Sequence, residues 1–297
     1  ALAKVTSEGN NIAIGYKALQ DATSDNNVAI GMGAMMDHTT GEYNVAIGME
    51  PLKNGTSADG NIAIGHEALL AMSTGDENVV IGKQAMVAST AENRTIAIGL
   101  EAFKDLNGTT NESVAIGAKA GANVTGGNGW TIIGGLAADL GTGTGADNTI
   151  IGYAAGRDIT SGIRNTLIGS NADDEITTGS YNTCVGTYAG NKIKTGSNNT
   201  ALGHGAISET EDATSQNTGI GAGAGINCTS GAGNLFLGYQ AGTSSSPSGA
   251  ISTSSNNVVL GNDQIANLYC NDTSISSSDK RDKTDIADFT HGLDWIK

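Results

Sequence analysis

The side chains most able to ligate a metal or act as a nucleophile are four histidines (His38, His66, His204, His291) and three cysteines (Cys184, Cys228, Cys270). Their spacing builds neither kind of site. The cysteines lie far apart, without the close pairs that a zinc site draws from one turn, and all three read as small apolar fillers. The histidines read as unrelated to one another, with no metal or catalytic role. No G-x-x-x-x-G-K-[ST] loop is present to cradle phosphates, and the Asp-Gly pattern of calcium-binding β-rolls does not repeat. GAGAG (Gly221–Gly225) matches part of a dinucleotide fingerprint but falls in step with a repeat described below, so it reads as punctuation. Cleavage of sugars would need paired carboxylates in a cleft, and no local cluster of Asp and Glu interrupts the chain. No cofactor and no metal are expected.

The bulk composition narrows the field further. Among 297 residues there are 44 glycines, two prolines and only 4% aromatics. Large side chains normally supply much of a globular core, so a regular stack of small turns must bury surface instead. Collagen is excluded because glycine does not recur every third residue. The net charge of −15, with scattered Lys and Arg, argues against nucleic acid. No apolar run has membrane-spanning length, so membrane insertion is not expected, and no stretch reads as a signal peptide. The start at Ala1, without methionine, points to a piece of a longer chain.

The elements that must position any site are set by a repeat. A glycine after Ile, Leu or Val stands at positions 15, 31, 48, 65, 82, 99, 117, 134, 152, 169, 186, 203, 221, 238 and 261. The first thirteen steps are 16, 17 or 18 residues and the last is 23. Each unit reads N-x-A-I-G-x-x-A and then a variable polar stretch. Asparagine stands four before the marker in twelve of fifteen units, with Thr95, Ser113 and Trp130 as exceptions, and alanine three after it in thirteen. A second glycine often stands seven before, as at Gly41, Gly75 and Gly162. Seventeen residues hold two short strands and two turns, and stacked copies bury a continuous interior. The asparagines should form a side-chain ladder up one corner. Fourteen steps of about 4.8 Å give a rod on the order of 65–70 Å.

Both faces of the predicted strand are apolar. Ile12 and Ile14, Val28 and Ile30, and Val45 and Ile47 flank Ala13, Ala29 and Ala46, which point the other way. One face should pack inside its own coil and the other against neighbouring chains around an axis. Residue sizes also compensate between the places two before and four after the marker. Ala13/Leu19, Ala46/Leu52 and Ala97/Phe103 give way to Ile132/Ala138, Ile150/Gly156 and Phe236/Gly242. Such trading of volume indicates one shared compartment; Val80/Met86, Gly219/Gly225 and Val259/Ile265 break the rule. A threonine column (Thr149, Thr166, Thr183, Thr200) has the look of an ice-binding face, but its place beside the marker favours a buried or interfacial role.

The unit resembles the head repeats of trimeric autotransporter adhesins, most plainly in NNVAIGMGA (26–34) and NESVAIGAKA (111–120). The resemblance covers about residues 10–242 and implies a left-handed parallel β-roll assembled as a trimer. Similar repeats occur in bacteriophage tail fibres, and the C-terminus favours that setting. SSSDKRDKTDI (276–286) resembles the start of the self-cleaving intramolecular chaperone at the ends of phage tail spikes and fibres. In that family the chain breaks after a serine followed by Asp or Asn, and the serine acts with a lysine five residues later. The resemblance thus implies Ser278 as nucleophile, Ser278–Asp279 as the cleavage point and Lys283 as the base. A neutral lysine accepts the proton of Ser278 Oγ if desolvation or nearby positive charge lowers its pKa. Arg281, Ile286, Leu293 and Ile296 fit the pattern, whereas Asp282 stands where leucine is usual. Nineteen residues follow Ser278, too few for the whole chaperone domain.

The expected architecture is all-β: a parallel β-roll or β-solenoid of about 15 coils, forming a trimeric fibre. Residues 1–242 are the repeat, 243–278 a loop, closing strand and neck, and 279–297 the truncated start of the chaperone. The expected function is structural, a phage tail-fibre or receptor-binding segment on the virion, extracellular, matured by one self-cleavage after Ser278 and otherwise not enzymatic. Its partners would be two sister chains, other tail proteins and a host-cell surface receptor. A bacterial trimeric adhesin head at the cell surface is the first alternative and a polysaccharide depolymerase the second.

Overall fold

A computed structural model describes residues 9–108, 112–209 and 214–267. The chain forms a parallel β-solenoid. Fifteen three-residue strands, from β1 (Ile12–Ile14) to β15 (Val258–Leu260), make one sheet in which each strand pairs only with its sequence neighbours. The register joins like with like, as in Val45↔Ile62, Ala46↔Ala63 and Ile47↔Ile64. Steps of 18 residues leave the register intact, and so does the 23-residue step into β15, where Leu235 pairs with Val258. The extra length lies between strands, as the sequence predicts.

One expectation needs correction. Among the described residues each coil holds one strand, not two. The reason is the backbone of the corners. In the Gly48 coil, Tyr43, Glu50 and Leu52 all have left-handed φ, at 61°, 56° and 46°. The same three places are left-handed in nearly every described coil, so extended chain survives only between them. A non-glycine residue in this region costs roughly 1–2 kcal/mol, and bonding between coils offsets it. Glu50 N–H donates to Met32 O at 2.9 Å and Leu52 N–H to Ala68 O at 2.9 Å. The far side of each coil is also bonded to the next, as in Thr39 N–H to Thr56 O at 3.3 Å and Thr56 N–H to Ser73 O at 3.2 Å, without becoming strand.

The marker glycines are required by space as well as by φ. A Cβ on Gly48 would lie 2.6 Å from the carbonyl oxygen of Gly65 in the next coil, and its φ is +136°. The interior is narrow. Each coil fills it with the middle strand residue, the alanine after the marker and the left-handed residue that follows. In the Gly65 coil these are Ala63, Ala68 and Leu69, all fully buried. The largest buried side chains are Trp130, Phe103 and Phe236. The alanine three after the marker is fully buried in all thirteen coils that carry it, so this slot is filled by a small side chain packed in the interior.

Candidate functional site

The asparagine column forms the expected ladder. Asn61 Oδ1 accepts from the backbone N–H of Asn78 at 3.0 Å and from its Nδ2 at 2.9 Å. Asn61 Nδ2 in turn donates to Gly75 O at 2.8 Å. Asn165, Asn199 and Asn234 likewise each donate their backbone N–H and Nδ2 to the Oδ1 of the asparagine one coil before, and Nδ2 to a backbone carbonyl. Every lone amide group is thus spent inside the wall, and the column is structural. Trp130 has no side-chain acceptor and instead donates Nε1–H to Gly126 O at 3.0 Å.

The compensating columns do touch, both within a coil and between stacked coils. A Cβ on Gly242 would meet Phe236 Cδ1 and Cε1 at 2.4 Å in its own coil. A Cβ on Gly225 would meet Phe236 Cδ2 at 2.5 Å, one coil on. This explains Gly219/Gly225, which breaks the rule within its own coil. Ile207 of the preceding coil lies 2.7 Å from where a Gly219 Cβ would sit, and Phe236 of the following coil covers Gly225. Gly121 is likewise filled by Phe103 and Ile132 from either side.

The other face of each strand looks outward. Its residue one before the marker is Ile, Val or Leu in all fifteen coils. These side chains are partly or largely open in the single chain, reaching 59% exposure at Ile14, while the middle residue is buried in every strand after the first. Three before the marker stand aliphatic residues and, from Thr131 to Thr218, six threonines in ladder register. The threonine column is therefore on the outer face and not in the core. This apolar stripe, fifteen rungs tall, is the most extensive candidate functional surface among the described residues.

The residues first considered for chemistry are dispersed. Ser278, Asp279 and Lys283 lie outside the described residues, as do Cys270 and His291. Cys184 and Cys228 are buried fillers, as expected. Burial raises both thiol pKa values; the Asp173 charge adds to the rise at Cys184, while contacts to Gly231 and Asn234 offset it at Cys228. A raised thiol pKa leaves little reactive thiolate. His38 is buried with Nε2 at 2.8 Å from Gly41 O, and burial lowers its pKa. His66 and His204 share the place just after the marker, a kinship the sequence reading overlooked, but eight coils separate them. Among the described residues no group of three His, Cys, Asp or Glu side chains is arranged to hold a metal ion.

Two features escaped the sequence reading. Asp173 occupies the left-handed core slot that holds Leu52 or Met86 elsewhere, and is fully buried. Its Oδ1 has no hydrogen-bond partner, and desolvation drives its pKa well up, helped by Asp174 and Glu175 and opposed by a backbone contact from Ile193. Alignment of the slots, with Asp173 paired to Leu167, was the available signal. The second is a groove of about 390 Å³ across the coils of Gly186 to Gly238, walled by Tyr188, His204 and Tyr239. Compared with known proteins, the chain matches no family model and no curated sequence.

Proposed function

We propose that this chain is a rigid shaft segment of a bacteriophage tail fibre that acts in host attachment as a homotrimer. The observation that carries the reading is the outward aliphatic column. Fifteen Ile, Val or Leu side chains in line, repeated at every rung and left open by the single chain, form a greasy seam along the whole rod. Contiguous exposed apolar surface on this scale marks an interaction face, and its unbroken repetition suits sister copies bearing the same seam. Three chains around a common axis would cover it. The fold agrees with a fibrous structural or adhesin-like protein.

The C-terminal resemblance supports a fibre carried on a virion, whose partners would be other tail proteins and a host-surface receptor. A trimer with many interchain contacts needs its strands registered early, because non-local pairing is slow. A C-terminal chaperone that trimerises first would supply that registration. Its release after Ser278, with Lys283 as base, would leave a kinetically trapped product. That single turnover is the only enzymatic step in the reading.

Two measurements test it. Sedimentation of the expressed chain is expected to give three copies per particle, and a compact single chain would overturn the trimer. Intact mass of the product of the full-length gene is expected to show a cut after Ser278 that disappears in Ser278→Ala. An assembled but uncut wild-type protein would remove the processing step. The bacterial adhesin head shares the fold and the seam; a coiled-coil stalk and membrane anchor encoded downstream of residue 297 would favour it.

A further inference from the structure

We propose that the groove across the coils of Gly186 to Gly238 is a saccharide-binding site. This deepens the attachment reading and rests on it. The groove is cut by missing side chains. The place two after the marker carries Lys, Glu or Gln in seven of the fifteen coils, as at Glu50, Glu67, Gln84 and Glu101. It is bare at two successive coils, Gly205 and Gly223, and the adjoining Ala222 keeps the floor low. Tyr188 stands on one side of this gap and Tyr239 on the other, 46% and 57% exposed. From the coil of one to the coil of the other is three strand steps, about 14 Å. The volume of about 390 Å³ falls within the range of small-ligand clefts.

The tyrosines are held out by design of the coil. Tyr188 is at a left-handed corner, with φ of 57°, and His204 packs edge-on against it with ring centroids 6.3 Å apart. All six tyrosines among the described residues are exposed, whereas the described Phe and Trp residues are buried. Here two of them flank one hollow, with polar groups at its rim. Lys192 holds the Glu209 carboxylate at 2.7 Å, and Ser208, Asn191 and Gln240 complete the rim.

This chemistry selects the ligand class. Aromatic faces give rigid, largely apolar platforms with a polar tip, suited to the C–H faces of pyranose rings. Carboxylate, amide and hydroxyl groups beside them can bond to vicinal sugar hydroxyls. Phosphate and sulfate are disfavoured, because the groove lining itself contains no Lys or Arg and the chain carries a net charge of −15. The ligand is therefore a neutral oligosaccharide.

The test is binding to a printed array of neutral and sialylated oligosaccharides, with sedimentation run on the same preparations. Wild-type protein is expected to retain neutral saccharides. Tyr188→Ala and Tyr239→Ala should each weaken retention at least about tenfold. Tyr16→Ala, at a tyrosine still more exposed and far along the rod, should leave it unchanged. Wild-type protein that assembles as a trimer but binds no saccharide overturns the groove and spares the rod. So does binding that survives both groove variants. A single chain that binds through Tyr188 and Tyr239 supports the groove and overturns the trimeric reading.

Discussion

Phe236 and Gly242 offer the sharpest test of how the interior is filled. The ring of Phe236 lies over two residues without side chains, Gly242 in its own coil and Gly225 in the coil before. Phe236→Ala should therefore cost about 3–5 kcal/mol, because neither neighbour can move a side chain into the space. Gly242→Leu alone should cost about 1–3 kcal/mol for overpacking against the ring, and about 1–2 kcal/mol more for leaving glycine at φ +77°. Independent effects would sum to about 5–10 kcal/mol. The double variant recreates the Ala63 and Leu69 arrangement of the Gly65 coil, and its loss should be only about 2–4 kcal/mol. What remains is corner strain and the part of the ring's space over Gly225. Denaturant unfolding followed by circular dichroism, at one fixed protein concentration, measures all four corners of this cycle. A double variant as unstable as the sum of the singles would refute a shared compartment.

Asp173 should make stability fall as the solution becomes more basic. Below the ordinary carboxylate pKa of about 3.9, folded and unfolded chains both hold the proton, and Asp173→Asn should change little. Above it the unfolded chain releases the proton while the buried carboxyl keeps its own, since desolvation raises the folded pKa. Wild type then loses about 1.4 kcal/mol per pH unit until the buried group ionises. The melting temperatures of the two proteins should diverge from pH 3 to pH 7, and parallel profiles would contradict the burial. Asn182→Ala should cost about 2–6 kcal/mol, since it strands the backbone N–H of Asn199 and the carbonyl of Gly196, both bonded to its amide; a loss under about 0.5 kcal/mol would show the ladder to be incidental. Ile151→Glu with Ile168→Glu places charge on the outward seam without touching the core, and should yield single chains by sedimentation if sister copies cover that face.

Much of this fold could be read from residue types because stacking turns each place in the unit into a column. The asparagine ladder, the parallel register and the contact between compensating slots all follow from identical neighbours one coil away. The second strand was misjudged for a local reason. Left-handed corners at residues such as Glu50, Leu52 and Tyr43 use side chains that show no preference for that conformation, so composition gave no sign of them. Gly219 looked anomalous while it was compared only within its own coil; its partner, Ile207, belongs to the coil before. The groove was legible only as a pair of bare corners, Gly205 and Gly223, and Tyr239 comes beside them through stacking. Asp173 was hidden by its chemistry, since an acid in a polar, glycine-rich stretch reads as surface.

The strictly sequential order of the sheet makes length an independent variable of this molecule. Each lap bonds only to the laps immediately before and after it. Gaining or losing one whole lap would thus move everything beyond it by about 4.8 Å along the rod and leave the seam aligned. Slipping a single residue within a strand would instead turn its outward aliphatics into the interior. Reach can therefore be tuned in whole-lap increments without redesigning either the filling of the tube or the surface it shows.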